Sequence, residues 1–184
     1  MRISTGSLPR IAAVAAALAL VAAAGGFGTQ RADAQATTPD DSVIASFEGG
    51  WLRLADGWGD AEACASDESG TRCYRSEAEM DSHEPGTALE GAPVRAVCTP
   101  SVRLYVNASY GGSVLELTIR GTVLNLASYG FSNVTSSYKI GACSARLYDT
   151  TSGATVYPGS TSAGVWASSM SSGWDNRVSS AYIF

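Results

Sequence analysis

Histidine is almost absent from this chain of 184 residues, and the usual catalytic motifs do not occur. The single histidine, His83, lies in an acidic segment rich in Gly and Pro, and neither Gly-x-Ser-x-Gly nor His-Glu-x-x-His is present. These absences argue against the common serine-hydrolase and zinc-protease arrangements. Carboxylates cluster between Glu77 and Glu84, but a solvated helix face accounts for them better than an acid–base pair does. We therefore expect a protein that is not an enzyme.

Long hydrophobic runs are also scarce, and the one present lies near the N-terminus. Ile11 to Ala24 is apolar without a break, Arg2 and Arg10 precede it, and glycines and small-x-small sites follow it. This run is too short to span a bilayer, and the order of charge, apolar core and small residues is typical of a secretory signal peptide. We predict that residues 1–36 are a signal peptide, that the product is secreted and extracellular, and that it has no membrane partner.

Basic residues are few and unevenly placed. After the predicted signal peptide, nine basic residues remain against sixteen acidic ones. Residues 40–90 hold thirteen of these acids and three arginines, whereas residues 91–184 hold three acids and six basic residues. Such sparse, scattered basic residues argue against nucleic-acid binding. The charge asymmetry predicts an acidic N-terminal module and linker at residues 37–92 and a separate domain at residues 93–184.

Only four cysteines are present, Cys64, Cys73, Cys98 and Cys143. An even number in an exported chain favours disulfides over free thiols. A zinc site does not fit the spacing, because there is no Cys-x-x-Cys pair and only one histidine. Three pairings are possible. We favour Cys64 with Cys73 and Cys98 with Cys143, since this places one disulfide in each charge segment.

Short apolar runs separated by turn residues dominate the C-terminal part of the chain. Residues 102–106 alternate between apolar and other positions, several similar runs follow, and helical periodicity is rare. This texture predicts an all-β sandwich. In the N-terminal module we predict two strands about Gly49, a helical turn capped by Asp60, and a helix that begins at Ser76.

Two stretches of the C-terminal domain repeat each other. Each copy contains an aromatic residue, a hairpin, an aromatic-x-Gly sequence, a middle stretch and a turn that ends in Ser-Ser, and such internal repeats indicate paired structural units. The landmarks are Tyr105, Tyr110, Gly112 and the turn at residues 132–137 in the first copy, and Tyr148, Tyr157, Gly159 and the turn at residues 175–180 in the second.

At these residues the chain resembles the βγ-crystallin superfamily. The Greek-key motif of that superfamily has an aromatic residue, a second aromatic five residues later and a glycine two residues beyond. Tyr105, Tyr110 and Gly112 fit this spacing, whereas Tyr148 and Tyr157 are nine residues apart, so the second hairpin is longer. The resemblance implies an all-β fold in which two Greek-key motifs form a βγ-crystallin-type sandwich, preceded here by a small disulfide-stapled N-terminal module.

The double-Ser turns carry an expectation about a ligand. Calcium-binding members of the superfamily have Asn/Asp-Asn/Asp-x-x-Ser/Thr-Ser, which residues 175–180 match at every defined position and residues 132–137 match at all but the first. Calcium is a hard cation that needs six or more oxygens, and amide, hydroxyl and carbonyl oxygens suit it. The resemblance implies that the ligands come from Asp175, Asn176, Arg177, Ser179, Asn133, Val134, Ser136, Asp149 and Val106.

The resemblance also implies that each ion draws on both turns. At one site the Arg177 carbonyl and the Ser179 hydroxyl join Asn133. At the other, the Val134 carbonyl and the Ser136 hydroxyl join Asn176. The residue after each first aromatic contributes as well, and here these are Val106, which offers only a carbonyl, and Asp149, whose position favours the site it lines.

Other interpretations compete with calcium binding. The turns have a purely structural interpretation, because Asn, Asp and Ser hydrogen-bond their own backbone in many turns. The chain also resembles a secreted bacterial metalloproteinase inhibitor family with a crystallin-type fold and two disulfides. On that interpretation the loop at residues 149–158 or the stretch at residues 161–174 meets an extracellular protease. A secreted toxin with the crystallin fold is a third possibility, and no residue of the sequence argues for it or against it.

Overall fold

The computed structural model describes residues 41–84 and 102–184, which contain eleven strands and one α-helix. The strands are β1 (Ile44–Phe47), β2 (Gly50–Arg53), β3 (Ala63–Asp67), β4 (Gly70–Tyr74), β5 (Val102–Asn107), β6 (Gly111–Leu117), β7 (Val123–Asn125), β8 (Ser137–Ile140), β9 (Ala145–Tyr148), β10 (Trp166–Ala167) and β11 (Ser180–Ile183), and the helix is α1 (Glu77–His83). The predicted signal peptide, the boundary at residues 92 and 93, and Cys98 lie outside the described residues. No helix of the described part has the length and apolar character needed to cross a membrane.

Two sheets form the fold. Most strands of one repeat lie in the larger sheet and most strands of the other lie in the smaller sheet, but each repeat contributes one strand to the opposite sheet. The larger sheet has the order β10-β8-β5-β6-β3-β4-β1-β2, and the smaller has the order β7-β11-β9. Strand β7 follows the first hairpin but pairs with β11, whereas β10 belongs to the second repeat but pairs with β8. This exchange links two Greek-key motifs into one sandwich. The predicted fold class, an all-β crystallin-type sandwich, is confirmed.

The larger sheet continues beyond the crystallin part, residues 102–184, into the N-terminal module. Strand β3 lies parallel to β6, with Ala63 opposite Val114 and Ser66 opposite Leu117. Strands β3 and β4 form a hairpin closed by the Cys64–Cys73 disulfide, as predicted. Cys143 is also disulfide-bonded, while its predicted partner lies outside the described residues. Strands on both sides of the predicted domain boundary therefore share one sheet.

The core lies between the two sheets and follows the alternation of the strands. Leu104 of β5 and Leu115 of β6 are fully buried and pack in one cluster with Leu147 of β9 and Ile183 of β11. The neighbouring residues on β5 and β6 point to the opposite face of the larger sheet, because successive side chains of a strand alternate. That outer face is the one that the helix covers.

Helix α1 begins as predicted. The Ser76 hydroxyl accepts a hydrogen bond from the Glu79 backbone N–H at 3.1 Å, which caps the first turn. Met80 of the helix is fully buried and packs with Ala65, Tyr105 and Val114 in a second, smaller apolar cluster. The acidic module is thus attached to the crystallin part by a packed helix as well as by a shared sheet.

An ion cluster lies beside this apolar cluster. The Arg103 guanidinium donates to Glu116 at 2.6 Å, to Glu77 at 2.7 Å and to Asp81 at 2.5 Å, and Arg103 and Glu116 are 2% and 0% exposed. The Tyr105 hydroxyl also donates to Glu77, at 2.6 Å. Burial raises the pKa of Glu116 to about 7, although Arg103 acts in the opposite direction. The carboxylates that resembled a solvated helix face therefore include two that hold the helix to the sheet.

The predicted helical turn at Asp60 is wrong. The residues that follow it form β3, a strand between β4 and β6 in which Ala63 to Ser66 are all buried. A strand with neighbours on both sides and both faces covered accepts small residues regardless of their helix propensity. This segment is a strand because it pairs with β6, about fifty residues further along the chain.

The segment that follows the N-terminal hairpin, residues 54–58, also contacts the turn at residues 126–131. The Trp58 indole N–H donates to the Tyr129 carbonyl at 2.7 Å, and its ring stacks on Phe131 at 5.3 Å. Gly130 lies between these residues with φ of 65°, and a Cβ there would be 2.1 Å from the Leu54 carbonyl oxygen. Only glycine fits this close approach of two backbones.

Replacing Gly130 by Ala should lower the free energy of unfolding by about 3 kcal/mol, because the new methyl group meets backbone and φ is positive. Gly121→Ala is the matched control: its φ is 72°, but nothing lies within 4 Å of the position that its new methyl group would take. The control should lose about 1 kcal/mol. Urea unfolding measures both values, and equal losses would contradict the close approach at Gly130.

The Glu116 carboxyl should make stability depend on pH. Its pKa is about 7 in the folded protein, above the usual 4.5, so the folded state keeps a proton that the unfolded chain loses between these values. Stability from this group is therefore greatest below pH 4.5 and falls as pH rises to 7. Glu116→Gln should be neutral at pH 4.5 and stabilising by about 1–3 kcal/mol at pH 8. Thermal unfolding at both pH values tests this, with exposed Glu68→Gln as control; a stabilisation independent of pH would refute it.

Candidate functional site

The two double-Ser turns lie side by side and bind each other through their backbones. The Asn133 N–H donates to the Val178 carbonyl at 2.8 Å, and the Asn176 N–H donates to the Thr135 carbonyl at 3.0 Å. The two turns are thus related to each other as a reciprocal pair. Each leads into a strand of a different sheet, β8 or β11, so the pair joins the two sheets at one end of the sandwich.

Both central asparagines have the left-handed backbone conformation, with φ of 59° at Asn133 and 55° at Asn176. Asn tolerates this region better than most residues because its short polar side chain hydrogen-bonds locally. This conformation places the Asn amide of each turn against the hydroxyl of the other turn. The Asn133 Oδ1 accepts from the Ser179 hydroxyl at 2.8 Å, and the Asn176 Oδ1 lies 3.4 Å from the Ser136 hydroxyl.

The second serine of each turn has a structural role. The Ser137 hydroxyl donates to the Asn107 carbonyl at 2.6 Å, and the Ser180 hydroxyl donates to the Thr150 carbonyl at 2.6 Å. Ser137 also accepts from the Tyr110 backbone N–H at 3.0 Å. These bonds hold the hairpin of each motif against its turn. These two hydroxyls thus bond to backbone thirty residues away, and not to the backbone of their own turn.

In the first hairpin the glycine of the motif has a positive φ and no room for a side chain. Gly112 has φ of 73°, and a Cβ there would be 2.7 Å from the Asn107 side-chain nitrogen. The Tyr105 and Tyr110 rings meet edge to face with centroids 5.7 Å apart. In the second motif a Cβ on Gly159 would lie 2.3 Å from the Tyr157 ring, so that glycine is required by the ring above it.

At the first predicted site, oxygens from three segments converge on the Ser179 hydroxyl. Its oxygen lies 2.8 Å from Asn133 Oδ1, 3.0 Å from the Asp149 carbonyl oxygen and 3.5 Å from the Arg177 carbonyl oxygen. A hydroxyl has one hydrogen, so it can satisfy only one of these three acceptors fully. Oxygens around a calcium ion, each about 2.4 Å from it, are themselves about 3 Å apart. The four oxygens are of the type that a hard cation accepts, and the distances from the Ser179 oxygen are close to this spacing.

Asp149 adds the only carboxylate of this set. Its side chain is 14% exposed, one oxygen accepts from Arg177 Nη2 at 2.9 Å, and the other, Oδ1, is buried without a hydrogen-bond partner. The sequence treated Arg177 as a carbonyl ligand alone and missed this contact of its side chain. An arginine at an x position of one turn, with an aspartate after the first aromatic of the same motif, is the signal that could have revealed it.

The second predicted site is less complete. The Ser136 hydroxyl and the Asn176 amide meet, but Val106 and Val134 can contribute only carbonyl oxygens, and no carboxylate belongs to the set. Thr135, in the same turn, has a fully buried hydroxyl oxygen without a partner, which the sequence did not indicate. Asp175 is exposed at the head of the other turn.

Carboxylates are sparse near both sites. In the described part of the chain, no group of three or more His, Cys, Asp or Glu side chains is placed to hold a metal ion. The paired turns instead offer mainly neutral oxygens, which suit a hard cation bound weakly and do not suit zinc or copper.

Comparisons with known proteins identify structural neighbours. No protein-family model and no curated protein matches the chain. A βγ-crystallin domain from Flavobacterium johnsoniae is 26% identical, over 45% of this chain and 92% of that chain, with a TM-score of 0.38. A βγ-crystallin from Ciona intestinalis is 22% identical, over 45% and 98%, with a TM-score of 0.37. A clostrillin double mutant in complex with nickel is 16% identical, over 47% and 99%, with a TM-score of 0.37. The chain is thus similar to solved βγ-crystallin domains.

The backbone conformation at Asn133 can be tested apart from any ligand. Asn133→Gly should be more stable than Asn133→Ala by about 1 kcal/mol, because glycine adopts φ of 59° without strain and alanine does not. The same order should hold for Asn176, where φ is 55°. Chemical denaturation of the four variants measures the difference. Alanine variants as stable as the glycine ones would contradict the left-handed conformation.

Proposed function

We propose that this chain is a secreted, non-enzymatic binding protein that holds calcium between its paired turns. The observation that carries the proposal is the convergence of Asn133 Oδ1 and the carbonyl oxygens of Asp149 and Arg177 on the Ser179 hydroxyl. Secretion rests on the predicted signal peptide, and the non-enzymatic character rests on the missing catalytic motifs.

Calcium in this position would act as a cross-link. Its ligands come from the turn before β8, the turn before β11 and the end of β9, so one ion would connect both Greek-key motifs. Because such ligands come together only in the folded protein, binding raises the free energy of unfolding by mass action. Calcium binding is therefore proposed to stabilise the fold, and a thermal shift is its direct consequence.

The expected affinity is low. A single carboxylate contributes at the Ser179 site, and it already has an arginine partner. Weak extracellular modules bind calcium at about 10⁻⁴–10⁻³ M, and the charge of the ligands sets the position within such a range. The Ser179 site is proposed to be the tighter of the two, because the Ser136 site has no carboxylate.

Protease inhibition remains a prediction, and one feature of the loop at residues 149–158 is compatible with it. The Asp149 N–H donates to the Thr155 carbonyl at 3.1 Å, and the Ala154 N–H donates to the Thr150 hydroxyl at 2.8 Å. Val156 is 49% exposed on this internally bonded loop. A rigid loop with an exposed apolar residue is what an inhibitor presents, but nothing in it indicates a particular protease.

Titration with calcium, followed by calorimetry and thermal unfolding, tests the calcium proposal. The wild type should release or absorb heat and gain thermal stability at millimolar calcium. Ser179→Ala should weaken binding by about 10-fold or more, because it removes one ligand at the centre of the set. Ser180→Ala is the matched control, since its hydroxyl is equally buried but bonds only to the Thr150 carbonyl.

Two results would contradict the proposal. The first is the absence of both heat and thermal shift at millimolar calcium. The second is an equal loss of affinity in Ser179→Ala and Ser180→Ala, which would mean that the turn acts as a structural cap.

A further inference from the structure

The side chain of Arg177 places a positive charge beside the proposed calcium site. Its carbonyl oxygen belongs to the Ser179 set, while its guanidinium donates to Asp149 Oδ2 at 2.9 Å. The same residue therefore offers a ligand through its backbone and opposes a cation through its side chain. Residue 177 is an x position of the turn, so the motif itself does not specify this side chain.

Arg177 is held beside the site by more than the ion pair. Its Nη1 donates to the Gly173 carbonyl at 3.0 Å, and its guanidinium lies over the Trp174 ring, 5.1 Å from the centroid. These two contacts do not involve Asp149. The guanidinium consequently has a resting position even when the carboxylate turns away from it.

Asp149 has one carboxylate oxygen that no hydrogen-bond donor reaches. Its Oδ1 is buried and has no hydrogen-bond partner, although its Oδ2 is paired with Arg177. Leaving a buried carboxylate oxygen without a donor is unfavourable. The carbonyl of the same residue already lies 3.0 Å from the Ser179 hydroxyl, so the unsatisfied carboxylate belongs to a residue at the site.

We propose that Arg177 is an internal competitor of calcium for the Asp149 carboxylate. In the ion-free protein Arg177 neutralises Asp149, and calcium binds by taking the carboxylate over while Arg177 keeps its contacts with Gly173 and Trp174. The inference rests on the proposed calcium function and adds what regulates its affinity. The Asp149–Arg177 pair thereby raises the calcium concentration at which the site fills.

Replacing Arg177 by Gln should increase calcium affinity by about 3–10-fold, because the carboxylate loses its competing partner, whereas the charge of the half-exposed guanidinium is largely screened by solvent. Asp149→Asn should reduce affinity by about 10-fold. In the Asp149→Asn background, Arg177→Gln should change affinity by less than about 2-fold, since little remains for which to compete. Isothermal calorimetry with calcium chloride measures the four affinities, and terbium luminescence measures them again with a second hard cation.

Arg75→Gln is the matched control. Arg75 is 55% exposed, pairs with Glu48 and lies over the Phe47 ring, just as Arg177 is 51% exposed, pairs with Asp149 and lies over Trp174. The control removes the same charge from the N-terminal module and should leave affinity within about 2-fold of the wild type. Thermal unfolding without calcium shows whether each variant is folded.

The outcomes separate the two proposals. An increase in Arg177→Gln that is absent from Arg75→Gln and from the Asp149→Asn background supports the competition. Measurable binding in the wild type with unchanged affinity in Arg177→Gln overturns the competition and leaves the calcium function standing. Binding in neither the wild type nor Arg177→Gln overturns the calcium function and the competition with it.

Discussion

The reciprocal pair of backbone hydrogen bonds between the double-Ser turns is the constraint on which the rest of the site depends. Asn133 donates to Val178 and Asn176 donates to Thr135, so both hydrogen bonds run between the two turns. A shift of either turn relative to the other would break both bonds. The turns precede strands of opposite sheets, so the bonds also fix the level at which the two sheets meet. The amide of one turn therefore reaches the hydroxyl of the other, and the ligand set that we propose for calcium comes from two motifs instead of one.

Local chemistry made much of this arrangement predictable. Tyr105, Tyr110 and Gly112 have a fixed spacing because the hairpin folds over within a few residues, and the serines after Asn133 and Asn176 must reach hairpin backbone at a short distance. The first and second serines of each turn have different partners: Ser136 and Ser179 face the other turn, whereas Ser137 and Ser180 bond to hairpin backbone. The helix cap at Ser76 is local for the same reason, and it is present as expected.

What the sequence could not show depends on pairing between distant residues. Strand β3 consists of small residues with no strand signature, and it is a strand because β6 lies beside it. The sequence predicts solvated carboxylates on α1, but in the fold Glu77 and Asp81 pair with the buried Arg103. Arg177 is a similar case, because the motif does not specify the side chain at an x position, and the fold brings the Arg177 guanidinium to Asp149.

The extension of the larger sheet also changes which strand is left at its edge. Without the N-terminal module, β6 would end the sheet with seven residues, Gly111–Leu117, available for pairing with another chain. Strand β3 covers it, and the edge passes to β2, which has four residues and ends at Arg53. Short edge strands that carry charge are poor templates for edge-to-edge association. Strand β3 of the N-terminal module thus occupies the position beside residues 114–117 of β6 that a strand of another chain could otherwise take, independently of what the turns bind.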